Sequence, residues 1–233
     1  MKTSTQLKSW TCAFTRVEAL VCLGVITILA AVAWPTVAGT RGRSDRVACV
    51  NNLRLIGRAF QAYSGEHDGR NMLWVDQPEG TRLHGASGNA FFQYSFLSNE
   101  LATPNVLVCP SDRLKRVAQS WGLGPGGFMN SAYRNSAVSY FLAIHASPRM
   151  PNSVLAGDRD IQAAGFGNCS LPAANVVYVV RGQSNLAWTN DVHVFSGNLL
   201  LSDGRVLQTS SEGLRQSFST PPYDATVHHL LTP

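Results

Sequence analysis

The 233-residue sequence lacks the short motifs that mark most catalytic and metal-binding domains. It contains no C-x-x-C pair, which argues against zinc-ribbon and thioredoxin-type sites. It also contains neither a G-x-S-x-G elbow nor an H-E-x-x-H helix, so the common hydrolase and metalloprotease signatures are missing. We therefore expect a protein that is not an enzyme.

Charge is also scarce: charged residues make up 14% of the chain, and the formal net charge is +5. Most of the excess lies between residues 41 and 58, where Asp45 is the one acid among five arginines: Arg41, Arg43, Arg46, Arg54 and Arg58. This basic stretch lacks the interleaved aromatic side chains of a stacking platform, so nucleic acid is not expected as a partner. Lipid headgroups or acidic partner chains are better suited to a basic stretch that follows an apolar run.

One long apolar run is present near the N-terminus. Residues 19–39 carry no charge, and as a helix they would span roughly 30 Å, the thickness of a hydrocarbon core. The run predicts a membrane-spanning helix over about residues 17–39, with a kink at Pro35 because proline removes one helical hydrogen bond.

The apolar periodicity continues beyond this run. Six apolar residues recur at steps of three or four and form one stripe of an amphipathic helix: Val47, Val50, Leu53, Ile56, Phe60 and Tyr63. We therefore predict one helix over residues 14–66. Its second half must pack against another part of the chain, because lipid can bury only the first half.

The composition changes after Gly65, where glycine, proline, asparagine and serine interrupt short apolar runs. Residues 174–182 are rich in β-branched side chains and predict a strand. Residues 198–208 predict a hairpin with Asp203-Gly204 as a two-residue turn, and Thr209 with Glu212 forms a capping box that opens a short helix through Leu214 and Phe218. The glycine-rich residues 120–135 predict a surface loop.

These patterns together predict an α+β fold. A long N-terminal helix, transmembrane in its first half and amphipathic in its second, would pack on a small antiparallel sheet. The expected segments are a leader over residues 1–13, the helix over 14–66 and an exported globular domain over 67–233.

The N-terminus allows three processing routes. A signal peptide could be cut after the small-x-small site Ala31-Val32-Ala33. Alternatively, nothing is cut and the run is a plain anchor. In the third route the chain is cut between Ala13 and Phe14, and the apolar run is kept.

The stretch A-FTRVEALVCLGVITILAAVAWP resembles the N-terminus of type IV pilins and type II secretion pseudopilins. In that family a short basic leader ends in a small residue, followed by phenylalanine, Thr-Leu-x-Glu and an apolar helix with a proline. Phe14, Thr15, Glu18 and Pro35 match this pattern. Two residues depart from the pattern: Ala13 replaces the usual glycine, and Arg16 replaces the usual leucine.

The resemblance implies that a prepilin peptidase cuts between Ala13 and Phe14 and leaves an amine that is commonly methylated. It also implies that Glu18 guides assembly by pairing with the N-terminal amine of Phe14 in a neighbouring subunit. The alternative is that Glu18 lies at headgroup level and pairs with Arg16.

Four later stretches resemble one bacterial branch of these proteins, which carries a prepilin-type N-terminus and an H-X9-DG motif. They are CVNNLRLIGRAFQAY (49–63), VLVCPSD (106–112), SVLAGDRDI (153–161), and His193 followed after nine residues by Asp203-Gly204. From the residues alone, Asp203-Gly204 suits a hairpin turn, and His193 is expected near enough to reach it.

The resemblance implies a structural subunit of a type II secretion or type IV pilus-like filament. Its expected partners are copies of itself or other pilin-like subunits, the prepilin peptidase, an inner-membrane assembly platform and membrane lipid. It would cross the inner membrane once, with its C-terminal domain in the periplasm, and it could reach the cell surface in a filament. The arginines after the apolar run favour the opposite orientation by the positive-inside rule. A secreted or membrane-anchored periplasmic binding domain that forms no filament is the alternative.

Export would place the cysteines in an oxidising compartment, where one disulfide among Cys49, Cys109 and Cys169 is expected, with Cys49–Cys109 the first choice. No cofactor is expected. A structural metal ion is the competing interpretation of the H-X9-DG region, whether calcium or a transition metal. The candidate ligands are Asp158, Asp160, Asp191, His193 and Asp203.

Overall fold

The structure is a computed structural model that describes residues 15–82, 84, 88–162, 176–180, 185–219 and 227–233. For residues 32–41, 176–180 and 227–228 it describes the backbone alone. Contacts divide the chain into two compact units, residues 1–43 and residues 44–233, and each is described by itself.

Helix α1 extends from Arg16 to Glu66. In the second unit its apolar stripe is buried as predicted at Val50, Leu53, Ile56, Phe60 and Tyr63, whereas Val47 is 58% exposed. The helix lies close to the sheet at Gly57, where an added Cβ would come within 2.8 Å of Leu200 Cδ1. Two side chains of α1 also reach the following loops, since Asn52 donates to the carbonyl of Val108 and Tyr63 to that of Glu79.

The second unit is built on a six-stranded antiparallel sheet with strand order β4-β8-β1-β2-β6-β7. The strands are β1 (Tyr140–Ala143), β2 (Val154–Asp158), β4 (Val176–Val180), β6 (Ser196–Leu201), β7 (Val206–Ser210) and β8 (Val227–Leu231). Every residue of β1 and β2 is buried, as expected for central strands covered on both faces. A second, two-stranded sheet pairs β3 (Ile161–Gln162) with β5 (Ala187–Trp188).

The connections are short helices and turns. Helix α2 spans Ala90–Ser95, and 3₁₀ turns occupy Met72–Trp74, Pro104–Leu107 and Arg134–Ala137. The glycine-rich residues 120–133 form turns with one isolated bridge between Ser120 and Gly127, which agrees with the predicted loop. Strand β4 falls inside the predicted strand at residues 174–182.

The hairpin of β6 and β7 differs from the prediction in its turn. Leu201 N–H donates to the carbonyl of Arg205, and Gly204 N–H donates to the carbonyl of Leu201, so the loop holds three residues rather than two. Gly204 adopts φ +87°, the left-handed conformation that glycine accepts without strain. Helix α3 (Ser211–Ser219) follows with Leu214 and Phe218 buried. The N-cap of α3 is Ser210 rather than the predicted Thr209, because the Ser210 hydroxyl accepts a hydrogen bond from Gly213 N–H.

The prediction that the first half of α1 spans a membrane is wrong. Nowhere in the described part of the chain does a helix combine the length and apolar character that crossing a bilayer demands. A hydrocarbon core requires roughly 20 predominantly apolar residues in one helix. The kink predicted at Pro35 falls among positions described by backbone alone and stays a prediction.

Candidate functional site

The start of α1 is a capping box. Glu18 Oε2 accepts hydrogen bonds from the backbone N–H and the hydroxyl of Thr15, each at 2.8 Å, and Glu18 N–H donates to Thr15 Oγ1 at 3.3 Å. The hydrogen bond from the Thr15 backbone lowers the pKa of the exposed Glu18 carboxyl most, and the bond from the Thr15 hydroxyl lowers it further. The T-x-x-E spacing of Thr15 and Glu18 is the sequence signal that could have predicted this cap.

The same half of α1 exposes a continuous apolar surface. Eight large apolar side chains are between 51% and 69% exposed: Val17, Leu20, Val21, Leu23, Val25, Ile26, Ile28 and Leu29. Gly24 lies among them, and a Cβ added there would meet nothing within 4 Å. A helix that is apolar all around is normally buried against other apolar surface. Ala13 and Phe14, the predicted processing residues, lie outside the described residues.

The second feature is a buried polar cluster in the second unit, centred on a disulfide. Cys49 on α1 and Cys109 after the Pro104–Leu107 turn are joined, with their Cα atoms 4.9 Å apart and both side chains fully buried. This is the pairing that sequence analysis favoured. The third cysteine considered there, Cys169, lies outside the described residues.

His193 lies directly against this disulfide. Its Nε2 is 3.4 Å from Cys109 Sγ and 3.5 Å from Asp158 Oδ2, and the residue is 5% exposed. The segment is held by Arg46 of α1, whose guanidinium donates to the His193 carbonyl and to the Ser196 hydroxyl. Arg46 therefore serves an internal role, although sequence analysis grouped it with the basic surface.

Asp158 ends β2 inside the same cluster. Its Oδ2 accepts from the backbone N–H and the side-chain amide of Asn198, at 2.7 and 2.8 Å. Its Oδ1 is buried and finds no hydrogen-bond partner within the described residues.

Burial sets the protonation of these groups. It raises the pKa of Asp158 well above its usual range, and the nearby charge of Asp160 adds to this effect. It also lowers the pKa of His193 to about 4, helped by the positive charge of Arg46. At neutral pH the His193 imidazole is therefore neutral, and burial favours the protonated form of Asp158.

A buried ion pair lies near the cluster. Arg159 donates to both oxygens of Asp112, at 2.6 and 2.9 Å, and the Asp112 side chain is fully buried. This fork-to-fork contact ties the segment that follows Cys109 to the end of β2. The sequence gives no sign of this pair, because Asp112 and Arg159 meet only through the tertiary fold.

The structure separates the members of the H-X9-DG motif. His193 precedes β6 and Asp203 follows it, so the extended strand Ser196–Leu201 holds the two residues at opposite ends. The expected approach of His193 to the turn is therefore wrong. Asp203 instead bonds to Arg205, and Arg205 reaches Asn152.

The predicted metal ligands do not form one site either. Asp158 and His193 meet, and Asp160 accepts from Val192 N–H nearby, but Asp191 is exposed and Asp203 lies beyond β6. Of the described residues, the three with ligand atoms close enough to hold one ion are Cys49, Cys109 and His193.

Comparisons with protein-family models, curated proteins and solved structures gave no match to this chain.

Proposed function

We propose that this protein is a structural subunit of a pilin-like filament, of the type II secretion or type IV pilus kind. The observation that carries the proposal is the exposed apolar surface of α1 between Val17 and Leu29. Burying such side chains is worth about 25 cal/mol per Å² of apolar area, so this surface favours a partner. In a filament the partners are the same helices of neighbouring copies.

The composition of this surface supports packing between helices. Gly24 offers a point of close approach with open space above its Cα. Small residues at such points let two helix backbones come together. The capping box at Thr15 and Glu18 starts the helix immediately after Phe14, so the apolar surface begins at the proposed cleavage site.

The disulfide supports export. Cys49 and Cys109 are joined in the core of the second unit, and such bonds persist in oxidising compartments. The proposal therefore places residues 44–233 outside the cytoplasm, and it retains cleavage between Ala13 and Phe14 by a prepilin peptidase, followed by delivery to an assembly platform.

A charge on the apolar surface tests the proposal. We expect Leu20→Asp to abolish filaments, because each copy would bury an unpaired carboxylate among apolar side chains. The measurement is negative-stain microscopy and sedimentation of sheared material from cells that express the full chain with its peptidase. Leu123→Asp is the matched control, since Leu123 is 73% exposed in the other unit. Filaments from Leu20→Asp that equal those of the control would overturn the proposal.

Glu18 requires a separate test, because its capping role competes with a role in assembly. Glutamine at position 18 still accepts from Thr15 but carries no charge, whereas alanine loses both functions. If Glu18 pairs with the amine of a neighbouring Phe14, Glu18→Gln and Glu18→Ala should both be cleaved normally and fail to assemble. Normal filaments from Glu18→Gln would show that capping is sufficient. Intact mass measures cleavage, with a chain that begins at Phe14 as the expected product.

A second candidate, a periplasmic binding domain that does not assemble, is favoured by one cavity. Its volume is about 370 Å³, and it is lined by Arg70, Trp74, His145 and Arg149, among others. Trp74 is 47% exposed in this cavity, and Arg149 and Arg70 carry positive charge there, although Arg70 is paired with Asp68. An exposed aromatic side chain beside a guanidinium suits an anionic or ring-shaped ligand. A chain that stays monomeric at all concentrations with Leu20 intact would favour this candidate over the filament.

A further inference from the structure

The filament proposal uses the disulfide as support for export, but it gives no role to the position of His193 beside it. The sulfur atoms of Cys49 and Cys109 and the ring nitrogen of His193 all lie within 4.8 Å of one another. All three side chains are buried and come from separate parts of the chain: α1, the segment after the Pro104–Leu107 turn, and the segment before β6.

These distances suit a tetrahedral metal ion. With metal–sulfur bonds near 2.3 Å and metal–nitrogen bonds near 2.0 Å, two ligands of one zinc ion stand roughly 3.5 to 3.8 Å apart. His193 Nε2 already lies 3.4 Å from Cys109 Sγ. The two sulfurs are bonded to each other, so they must separate before either can bind a metal.

We infer that Cys49, Cys109 and His193 form a site for a zinc-type divalent metal ion when the disulfide between the two cysteines is reduced. Thiolate and imidazole ligands select zinc and similar borderline ions over calcium or magnesium. Three protein ligands leave a fourth coordination position for water. The disulfide and the metal site are alternative states of the same two sulfurs.

The chemistry of the exchange balances with a dithiol as the reductant. The dithiol supplies two electrons and two protons, the Cys49–Cys109 bond breaks, two cysteine thiols form, and the dithiol becomes its own disulfide. Binding of the divalent ion then displaces the two thiol protons and leaves two thiolate ligands. The site in the bound state has no net charge, which suits its burial.

The surroundings support this site. Arg46 holds the carbonyl of His193 and the hydroxyl of Ser196, and so fixes the segment that carries the imidazole. Asp158 stands 3.5 Å from the same Nε2, where its carboxyl group can bond to a water molecule on the metal.

Cobalt(II) provides the test, because thiolate ligands give it a charge-transfer band and tetrahedral sites give it strong visible absorption. The protein is the full chain with serine at Cys12, Cys22 and Cys169, which leaves the pair as its remaining thiols. A phosphine reductant is used, since a dithiol would compete for the metal. We expect one Co²⁺ per chain with both signatures after reduction, none before it, and displacement by Zn²⁺.

Two variants assign the ligands. Cys49→Ser should abolish the charge-transfer band or weaken it strongly, and His193→Gln should lower the affinity by more than about 100-fold, beyond the usual effect of an outer-shell change. Binding that is unchanged in His193→Gln would overturn the site as proposed. Cobalt spectra without a thiolate band would assign the metal to another pair, such as His145 and His229, and would also overturn it.

Folding is measured in the same samples. If the reduced chain unfolds without metal, Zn²⁺ should restore its far-ultraviolet circular dichroism, since binding and folding are then coupled. A reduced chain that stays folded and binds no metal, or stays unfolded with Zn²⁺ in excess, contradicts the inference.

Discussion

Replacing Cys49 and Cys109 together by alanine should lower the free energy of unfolding by about 4 kcal/mol. The disulfide closes a loop with a sequence separation of 60 residues, and it thereby restricts the unfolded chain. The double variant is preferred to a single one, because a lone cysteine would leave a reactive thiol in the core.

The measurement is urea unfolding of the oxidised wild type and of the variant, with a chelator present so that metal makes no contribution. Cys22→Ser is the control and should leave the midpoint unchanged, since Cys22 is exposed and unpaired with another cysteine. The reduced wild type should unfold close to the double variant. A difference below about 1 kcal/mol between oxidised wild type and variant would show that the loop is already restricted without the bond.

Arg159→Met should destabilise the second unit by about 3 to 5 kcal/mol, because it leaves the Asp112 carboxylate buried without its partner. The two hydrogen bonds of the pair measure 2.6 and 2.9 Å, and the Asp112 side chain has no exposure to water. Methionine keeps most of the length of the arginine side chain, so the lost charge and hydrogen bonds dominate the effect.

The double variant Asp112→Asn with Arg159→Met separates pairing from burial. It removes both charges, and it should recover more than half of the stability lost in the single variant. Thermal and urea unfolding at pH 7 provide the comparison. Equal destabilisation in the single and double variants would show that the Arg159 side chain contributes through packing instead.

The elements that the sequence predicted best are those with a local period. The stripe from Val50 to Tyr63 was predictable because residues three and four apart share one face of a helix, and all of its members are buried. The strand over residues 176–180 and the helix through Leu214 and Phe218 also follow from short-range patterns. The membrane prediction used the hydropathy of residues 19–39 alone, and the described residues contain no helix that is long and apolar enough to cross a bilayer.

The buried cluster was only partly predictable. Three cysteines were available for one bond, so Cys49 and Cys109 could be proposed as a pair before the fold was known. The approach of His193 to that pair could not, because it depends on how β2, β6 and α1 come together. The nine residues between His193 and Asp203 suggested that the two lie close together. Strand β6 lies between them, however, and an extended strand holds its two ends far apart.

The position of β8 in the sheet has a consequence for the timing of synthesis. This strand is the last in chain order, yet it lies inside the sheet, paired with β1 on one side and with β4 on the other. The ribosome must therefore reach Leu231 before β1 and β4 can be joined, and until then both strands have open edges. Chaperones that recognise exposed strand edges would have that whole interval in which to bind it.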